Sequence, residues 1–268
     1  MEFGDMFDDF IPRVTIDIND DLTRQVSMDE IKDAVFAIGS HKAPGLDGFS
    51  AAFYHTFWGD INESILKEVQ QFFEGGYLNQ NHNHTNICLI PKVRPPTTMS
   101  EFRPITLCNV SYKIISKILV MRLKRHLTNI IAENQTAFIP GRIISDNTII
   151  AHEVYHSLKV KKRQSKSYMA LKTDITKAYD RLEWSFLEET MRRMGFCEKW
   201  ISWIMICVSS VSFSIFINGF PKGYVKPERG IRQGDPLSMY LFIICAEVLS
   251  YMMTRAATKR KIQGIKIN

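Results

Sequence analysis

Tyr168-Met169-Ala170-Leu171-Lys172-Thr173-Asp174-Ile175 is where the chain changes its hydrophobic period. Met169, Leu171, Thr173 and Ile175 alternate with Ala170, Lys172 and Asp174, the two-residue repeat of a half-buried strand. Upstream the period is helical. Ser111 opens a stretch in which Ile115, Leu119, Leu123 and Leu127 recur every four residues, with Lys113, Lys117 and Lys124 on other faces. Helices followed by strands predict an α+β fold, with a small antiparallel sheet after the basic run Lys159–Lys166.

Outward from that point the sequence supplies further punctuation. Ser27-Met28-Asp29-Glu30 has the form of a capping box, and a second helical stretch runs from about Phe53 to Phe73, ending at Gly75-Gly76. Asn86–Pro91 is a short apolar strand. Val211–Ile217 is another, and Asn218-Gly219 after it marks a tight hairpin. Helices are expected at 146–158, 184–194 and 237–256, the last apolar nearly all round and so central to the core. The acidic stretch 1–25 reads as an irregular tail, and 159–166 as a solvated loop.

Composition narrows the class. The chain has 268 residues, 45% hydrophobic and 23% charged, the balance of a folded protein. A net charge of +6 favours polyanions. Five scattered cysteines without a CxxC spacing suggest neither disulfides nor zinc, which fits a reducing, intracellular compartment. Met1–Asp5 lacks the features of a signal peptide, and the run Met239–Ala246, broken by Glu247, is too short for a membrane span. No membrane partner is expected.

Chemistry concentrates in two places. Asp174 ends the alternating segment, with Tyr179 and Asp180 in the turn beyond; such a carboxylate beside a free backbone carbonyl can hold Mg²⁺. The same aspartates can instead cap the turn and the next helix, and spacing alone leaves both readings open. Arg229-Gly230-Ile231-Arg232-Gln233-Gly234-Asp235-Pro236-Leu237-Ser238 joins two glycines, two arginines and a helix start, which suits phosphate or a plain hairpin-to-helix connection. Asn81-His82-Asn83-His84 reads as a solvated polar loop, and Trp200 and Trp203 as core residues.

Several blocks, in order, resemble the reverse transcriptases of LINE-type (non-LTR) retrotransposons, especially plant ones. They are Lys42-Ala43-Pro44-Gly45-Leu46-Asp47-Gly48-Phe49, Phe102-Arg103-Pro104-Ile105-Thr106-Leu107 after Ile90-Pro91-Lys92, Gln135–Arg142, the Asp174 segment, and Arg232–Ser238. The resemblance covers about residues 25–268. It implies a right-hand polymerase fold with helix-rich fingers (26–166) and an incomplete palm (167–268). It also implies RNA-directed DNA synthesis from dNTPs on an RNA template and DNA primer, with Mg²⁺ or Mn²⁺, in a nuclear setting.

Site roles follow from the same resemblance. Asp174 would be the catalytic metal ligand, with the Ile175 carbonyl beside it. Lys92 and Arg103 would grip the triphosphate. Tyr179 would sit under the sugar, and Gln233 and Gly234 would line the nucleotide pocket. Arg142 and Arg232 would contact nucleic acid. Leu46 and Met239 stand where the family commonly has proline. The family's second motif, with two adjacent aspartates, is expected downstream of Gln233, yet no Asp-Asp pair follows Asp21. An isolated chain is therefore expected to be inactive. The alternative is a non-catalytic nucleic-acid-binding remnant.

Overall fold

Strand β1 (His84–Pro91) sits inside the sheet of this computed structural model, which describes residues 3–160 and 169–264. Before it come helices α1 (Ile16–Thr23), α2 (Met28–Phe36), α3 (Ala51–Thr56), α4 (Trp58–Gly75) and the single turn α5 (Gln80–Asn83). After it come β2 (Phe102–Leu107), α6 (Val110–Lys124), the single turn α7 (Leu127–Ile130) and α8 (Ile144–Val160). Then follow α9 (Trp184–Met194), α10 (Glu198–Ser209), β3 (Ser212–Ile217), β4 (Phe220–Val225) and α11 (Ser238–Thr258).

The sheet is mixed rather than antiparallel. Its order is β2-β1-β3-β4; β1 pairs antiparallel with β2, and parallel with β3 from His84↔Ser212 to Cys88↔Phe216. Parallel neighbours need a long crossover, and the helices α6 to α10 provide it. Two strands come from each side of residue 166, so the sheet ties both halves together. The hairpin is as expected: Asn218 and Gly219 hold φ of 50° and 85° between β3 and β4.

The alternating segment is not a strand. Residues 169–175 are irregular, with Met169, Leu171 and Ile175 exposed by 83%, 78% and 55%. Alternation makes a strand only where a neighbouring edge accepts its backbone groups, and among the described residues none pairs with this stretch.

The acidic N-terminal stretch is not an irregular tail either. Thr15 caps α1 by accepting from the Ile18 N–H at 3.4 Å, and Ile18 and Leu22 are buried while Asp17 and Asp20 face water. The Arg13 and Val14 N–H groups both donate to Met194 O at 3.0 Å. Local charge disguised an amphipathic helix.

In α6, Ile115, Leu119 and Leu123 are buried as their spacing requires, and Leu127 joins them; each such side chain stabilises by roughly 1.5–3 kcal/mol. Lys113 departs from expectation: it is buried, and its Nζ donates to Ala43 O at 3.1 Å. Only half of the capping box forms. Ser27 accepts from the Glu30 N–H at 3.2 Å, but the Glu30 carboxylate accepts from Arg122 at 2.9 and 2.7 Å instead of turning back. Trp200 and Trp203 are core residues. Helix α11 is buried in its first half, whereas Leu249 and Met253 near its end are exposed. Among the described residues it alone meets the length and apolarity of a membrane-crossing helix, yet its buried Glu247 pairs with Arg13 at 2.7 Å, as in a core helix.

Candidate active site

The loop from Arg229 to Ser238 is fixed by backbone bonds on both sides. Gly230 N–H donates to Leu182 O at 2.7 Å and Ile231 N–H to Tyr179 O at 2.9 Å, while the Trp184 indole donates to Gly230 O at 2.8 Å. Further along, Gln233 O accepts from both the N–H and the hydroxyl of Thr106, each at 2.8 Å. The two blocks, 127 residues apart, are thereby held together. Gly234 has φ of 118°, and a Cβ there would stand 2.9 Å from Thr106 O. Only glycine fits that crossing.

Beneath the loop lies a buried charge cluster. Asp235 accepts from Tyr112 Oη at 2.5 Å and pairs with Arg232 at 2.8 Å through one oxygen, and from the Leu237 N–H at 2.9 Å through the other. Arg232 stacks on the Tyr112 ring, 3.8 Å from its centre, and donates to Asn83 Oδ1 at 2.5 Å and Cys207 O at 3.3 Å. Burial opposes the guanidinium's charge, but Tyr112, Cys108 and Asp235 around it raise its pKa on balance.

Above the cluster opens a cavity of about 600 Å³ lined by Ile105, Tyr179, Gln233, Gly234, Pro236 and Met239. Tyr179 is half-buried and packs on Phe242 at 5.7 Å, and burial pushes its phenol pKa up. Thus Tyr179, Gln233, Gly234 and Met239 line one cavity. Arg103 pairs with Ile90 across the β1–β2 ladder, and the Lys92 N–H donates to Glu101 O at 2.7 Å. Arg103 is exposed and shares a face with Ile105, about 7 Å along the strand. Exposed Lys92 rests its Nζ on Ser100 O at 3.0 Å. Behind Gly234, a second cavity of about 380 Å³ gathers Lys42, Lys113 and Lys117; burial lowers the pKa of Lys113.

Four expected site residues stand differently. Asp174 and Ile175 are exposed on the irregular segment. An aspartate oxygen suits Mg²⁺, but among the described residues no three His, Cys, Asp or Glu side chains converge on a metal site. Among the described residues Asp174 therefore lacks the two further ligands that would complete such a group, where a two-metal centre needs several. Arg142 is turned inward, donating to the carbonyls of Ala132, Gln135, Ile131 and Thr128 at 2.6 to 3.5 Å. Arg232 is buried in its cluster. Both arginines carry loop geometry rather than presenting free charge, because unsatisfied carbonyls and a buried carboxylate claim their donors.

Asn83, Thr106, Tyr112 and Asp235 escaped the sequence reading. Asp235 had one local signal, its place before Pro236; the others become visible only through partners distant in sequence. The His82–His84 stretch is structured, not solvated: His82 meets Glu68 at 2.5 Å, and His84 bridges Ser212 and Ser214 at 2.7 and 3.0 Å. Lys159 and Val160 lie in the last turn of α8, and residues 161–166 of the basic run lie outside the described residues.

Residues 90–266 match the family pattern of reverse transcriptase (RNA-dependent DNA polymerase). An uncharacterized 149 kDa protein of transposon TX1 from Xenopus laevis is 27% identical over 250 residues, 93% of this chain and 19% of that protein. The Pol polyprotein of a type-1 R2 retrotransposable element from Nasonia vitripennis is 28% identical over 223 residues, 82% of this chain and 20% of that one. An uncharacterized mitochondrial protein of Arabidopsis thaliana is 56% identical over 52 residues, 19% of this chain. The chain spans about a fifth of the length of the first two relatives. With the Thr106–Gln233 junction in place and the family pattern matched over most of the sequence, the chain belongs to the reverse transcriptases, as a domain of the non-LTR, LINE-type retrotransposon kind.

Proposed function

We propose that this chain forms the nucleotide-holding part of an enzyme that copies RNA into DNA by adding deoxynucleotides to a primer 3′ end. The observation that carries this reading is the bonding of Thr106 to Gln233, which puts the Arg103 and Gln233 blocks around one cavity with Tyr179. Exposed Lys92 and Arg103 would take the triphosphate, since fixed positive charge and guanidinium donors suit phosphate oxygens. The Tyr179 ring would lie under the sugar, with Gln233 and Gly234 beside the base. Lys42 and Lys117 behind Gly234 would face the template backbone, while Lys113 stays bonded to Ala43 O.

Asp174 and the Ile175 carbonyl would contribute oxygen ligands to Mg²⁺ or Mn²⁺, which when bound polarises the phosphoryl group and acidifies the primer hydroxyl. Residues 26–166 would serve as fingers and 167–268 as part of the palm. The Arabidopsis similarity supports a plant-type element. By itself this 268-residue chain would bind nucleotide without extending a primer, because no adjacent aspartate pair follows Asp21.

Equilibrium dialysis of the purified chain with radiolabelled dTTP and Mn²⁺ tests the reading. Arg103→Ala should weaken binding by about tenfold or more, the worth of one charge-assisted bond. Unchanged binding in both Arg103→Ala and Lys92→Ala, or none by the parent chain, overturns it.

A further inference from the structure

Away from the Gln233 cavity, and sharing no lining residue with it, a cavity of about 420 Å³ opens between the Leu46–Phe49 loop, α3, α4, α5 and the start of α6. Buried Asn109 frames it. Its Oδ1 accepts from the Asp47 N–H at 3.4 Å, and its Nδ2 donates to Asn81 O at 3.2 Å and to His82 O at 3.4 Å. A Cβ on Gly45 would stand 2.0 Å from that Oδ1, so only glycine lets the loop lie so close. Phe49 is steadied by Phe53, their ring centres 4.7 Å apart.

The lining is anionic and aromatic. Asp47 and Glu68 contribute carboxylates, Phe49 and Tyr54 contribute rings, and among the described residues no lysine or arginine takes part. Asp47 Oδ1 accepts from the Phe49 N–H at 3.1 Å and Glu68 Oε1 meets His82 at 2.5 Å, while Oδ2 and Oε2 have no hydrogen bond among the described residues. Ser111 lines the cavity as well; it is 9% exposed, and its hydroxyl has no partner within the fold. A buried hydroxyl left unbonded is rare and asks for a ligand. Burial, then the Asp47 and Glu68 charges, push the Tyr54 phenol up to about 12, so both carboxylates act on one ring.

A cation answers this lining, and the chain's net charge of +6 disfavours cations elsewhere on the surface. Among the described residues no three His, Cys, Asp or Glu side chains converge as a compact metal ion would require. Carboxylates from two separate elements beside two rings suit instead an elongated cation with an apolar stem. Each ammonium of such a molecule has three donors, and aromatic faces accept both the charge and the methylenes. We propose that this cavity binds a small aliphatic diamine, one ammonium on Asp47 and the other on Glu68, its stem along Phe49 and Tyr54 and the Ser111 hydroxyl accepting beside them. Nothing in this site depends on the nucleotide reading.

Isothermal titration calorimetry of the nuclease-treated 268-residue chain with putrescine tests it. The parent should take up a single equivalent, and Asp47→Asn and Glu68→Gln should each weaken binding by about tenfold or more, the worth of one charge-assisted bond. Both variants leave an oxygen for the Phe49 N–H and for His82, so the loop and α5 keep their partners. Tyr54→Leu removes a ring and should cost about two- to fivefold. n-Butylamine, with one ammonium, should bind at least about tenfold more weakly than putrescine. A parent that binds no putrescine, or that binds it no better than both carboxylate variants do, overturns the proposal. Butylamine of equal affinity assigns the cavity to a single ammonium, such as a lysine side chain, and overturns the diamine. Mg²⁺ bound in its place, with the same dependence on both carboxylates, overturns it likewise.

Discussion

Two segments of this domain carry polymerase-type blocks, and they are held in opposite ways. The Arg232–Ser238 segment is bonded to β2 above and to Tyr112, Asn83 and Cys207 below. The Asp174 segment is exposed along its length, its apolar residues in water. One block is shaped by its own surroundings; the other has its ligand chemistry but no fixed geometry among the described residues. Specific sequence and local order are therefore separate properties. A nucleotide pocket can be built by contacts within the fold while the carboxylate that would serve it waits for further support.

The largest expected effect breaks the ordered side. Asp235→Ala leaves the Arg232 guanidinium buried without its carboxylate and removes the acceptor of Tyr112 Oη. Such a loss costs about 3–5 kcal/mol, a large share of a domain's stability, and urea unfolding should show it as a lower midpoint. A cost below about 1 kcal/mol would mean that the cluster is not the support inferred here.

Gly234→Ala comes next. The new Cβ would meet Thr106 O at 2.9 Å, at a φ of 118° that side chains rarely adopt. A cost of about 1–3 kcal/mol follows from the strained backbone. Because the crossing shapes the cavity roof, dTTP affinity should fall with it. Retained affinity at reduced stability would separate the pocket from the junction.

How much of this was legible beforehand depended on the range of the interaction. Asn218-Gly219 announced its hairpin because both residues accept positive φ within a two-residue turn. Leu119 and Leu123 announced a buried face because helical spacing is local. By contrast, Arg232 reads as a free phosphate ligand until Tyr112 and Asp235 are placed beside it, 120 and three residues away along the chain. The parallel pairing of His84 with Ser212 is equally hidden, as its crossover spans five helices among the described residues. The Asp174 alternation misled for the converse reason, since periodicity states which face is apolar but not whether a neighbour exists. The family blocks named the candidate residues, but not that Arg142 and Arg232 among them are bonded inside the fold.

Arg142 tests that distinction at smaller magnitude. Its guanidinium serves the carbonyls of residues 128–135, so Arg142→Ala should destabilise by about 1–2 kcal/mol, partly relieved by water at a half-exposed site. Affinity for single-stranded RNA should keep its salt slope, because no phosphate contact is lost. A slope reduced by about 0.7 would restore the template-contact role.

The smallest effect on stability belongs to Asp174→Asn. An exposed carboxylate on an irregular segment contributes little to folding, and the change should stay within about 0.5 kcal/mol by urea unfolding. Its signature lies elsewhere. If Asp174 is a metal ligand, Mn²⁺ titrated with dTTP present should enhance water proton relaxation in the parent chain and much less in the variant. Equal enhancement in both would return Asp174 to the turn-capping role that its spacing also allowed. The pairing with Asp235→Ala is what makes the result informative: one aspartate would carry stability with no metal, the other a metal with no stability.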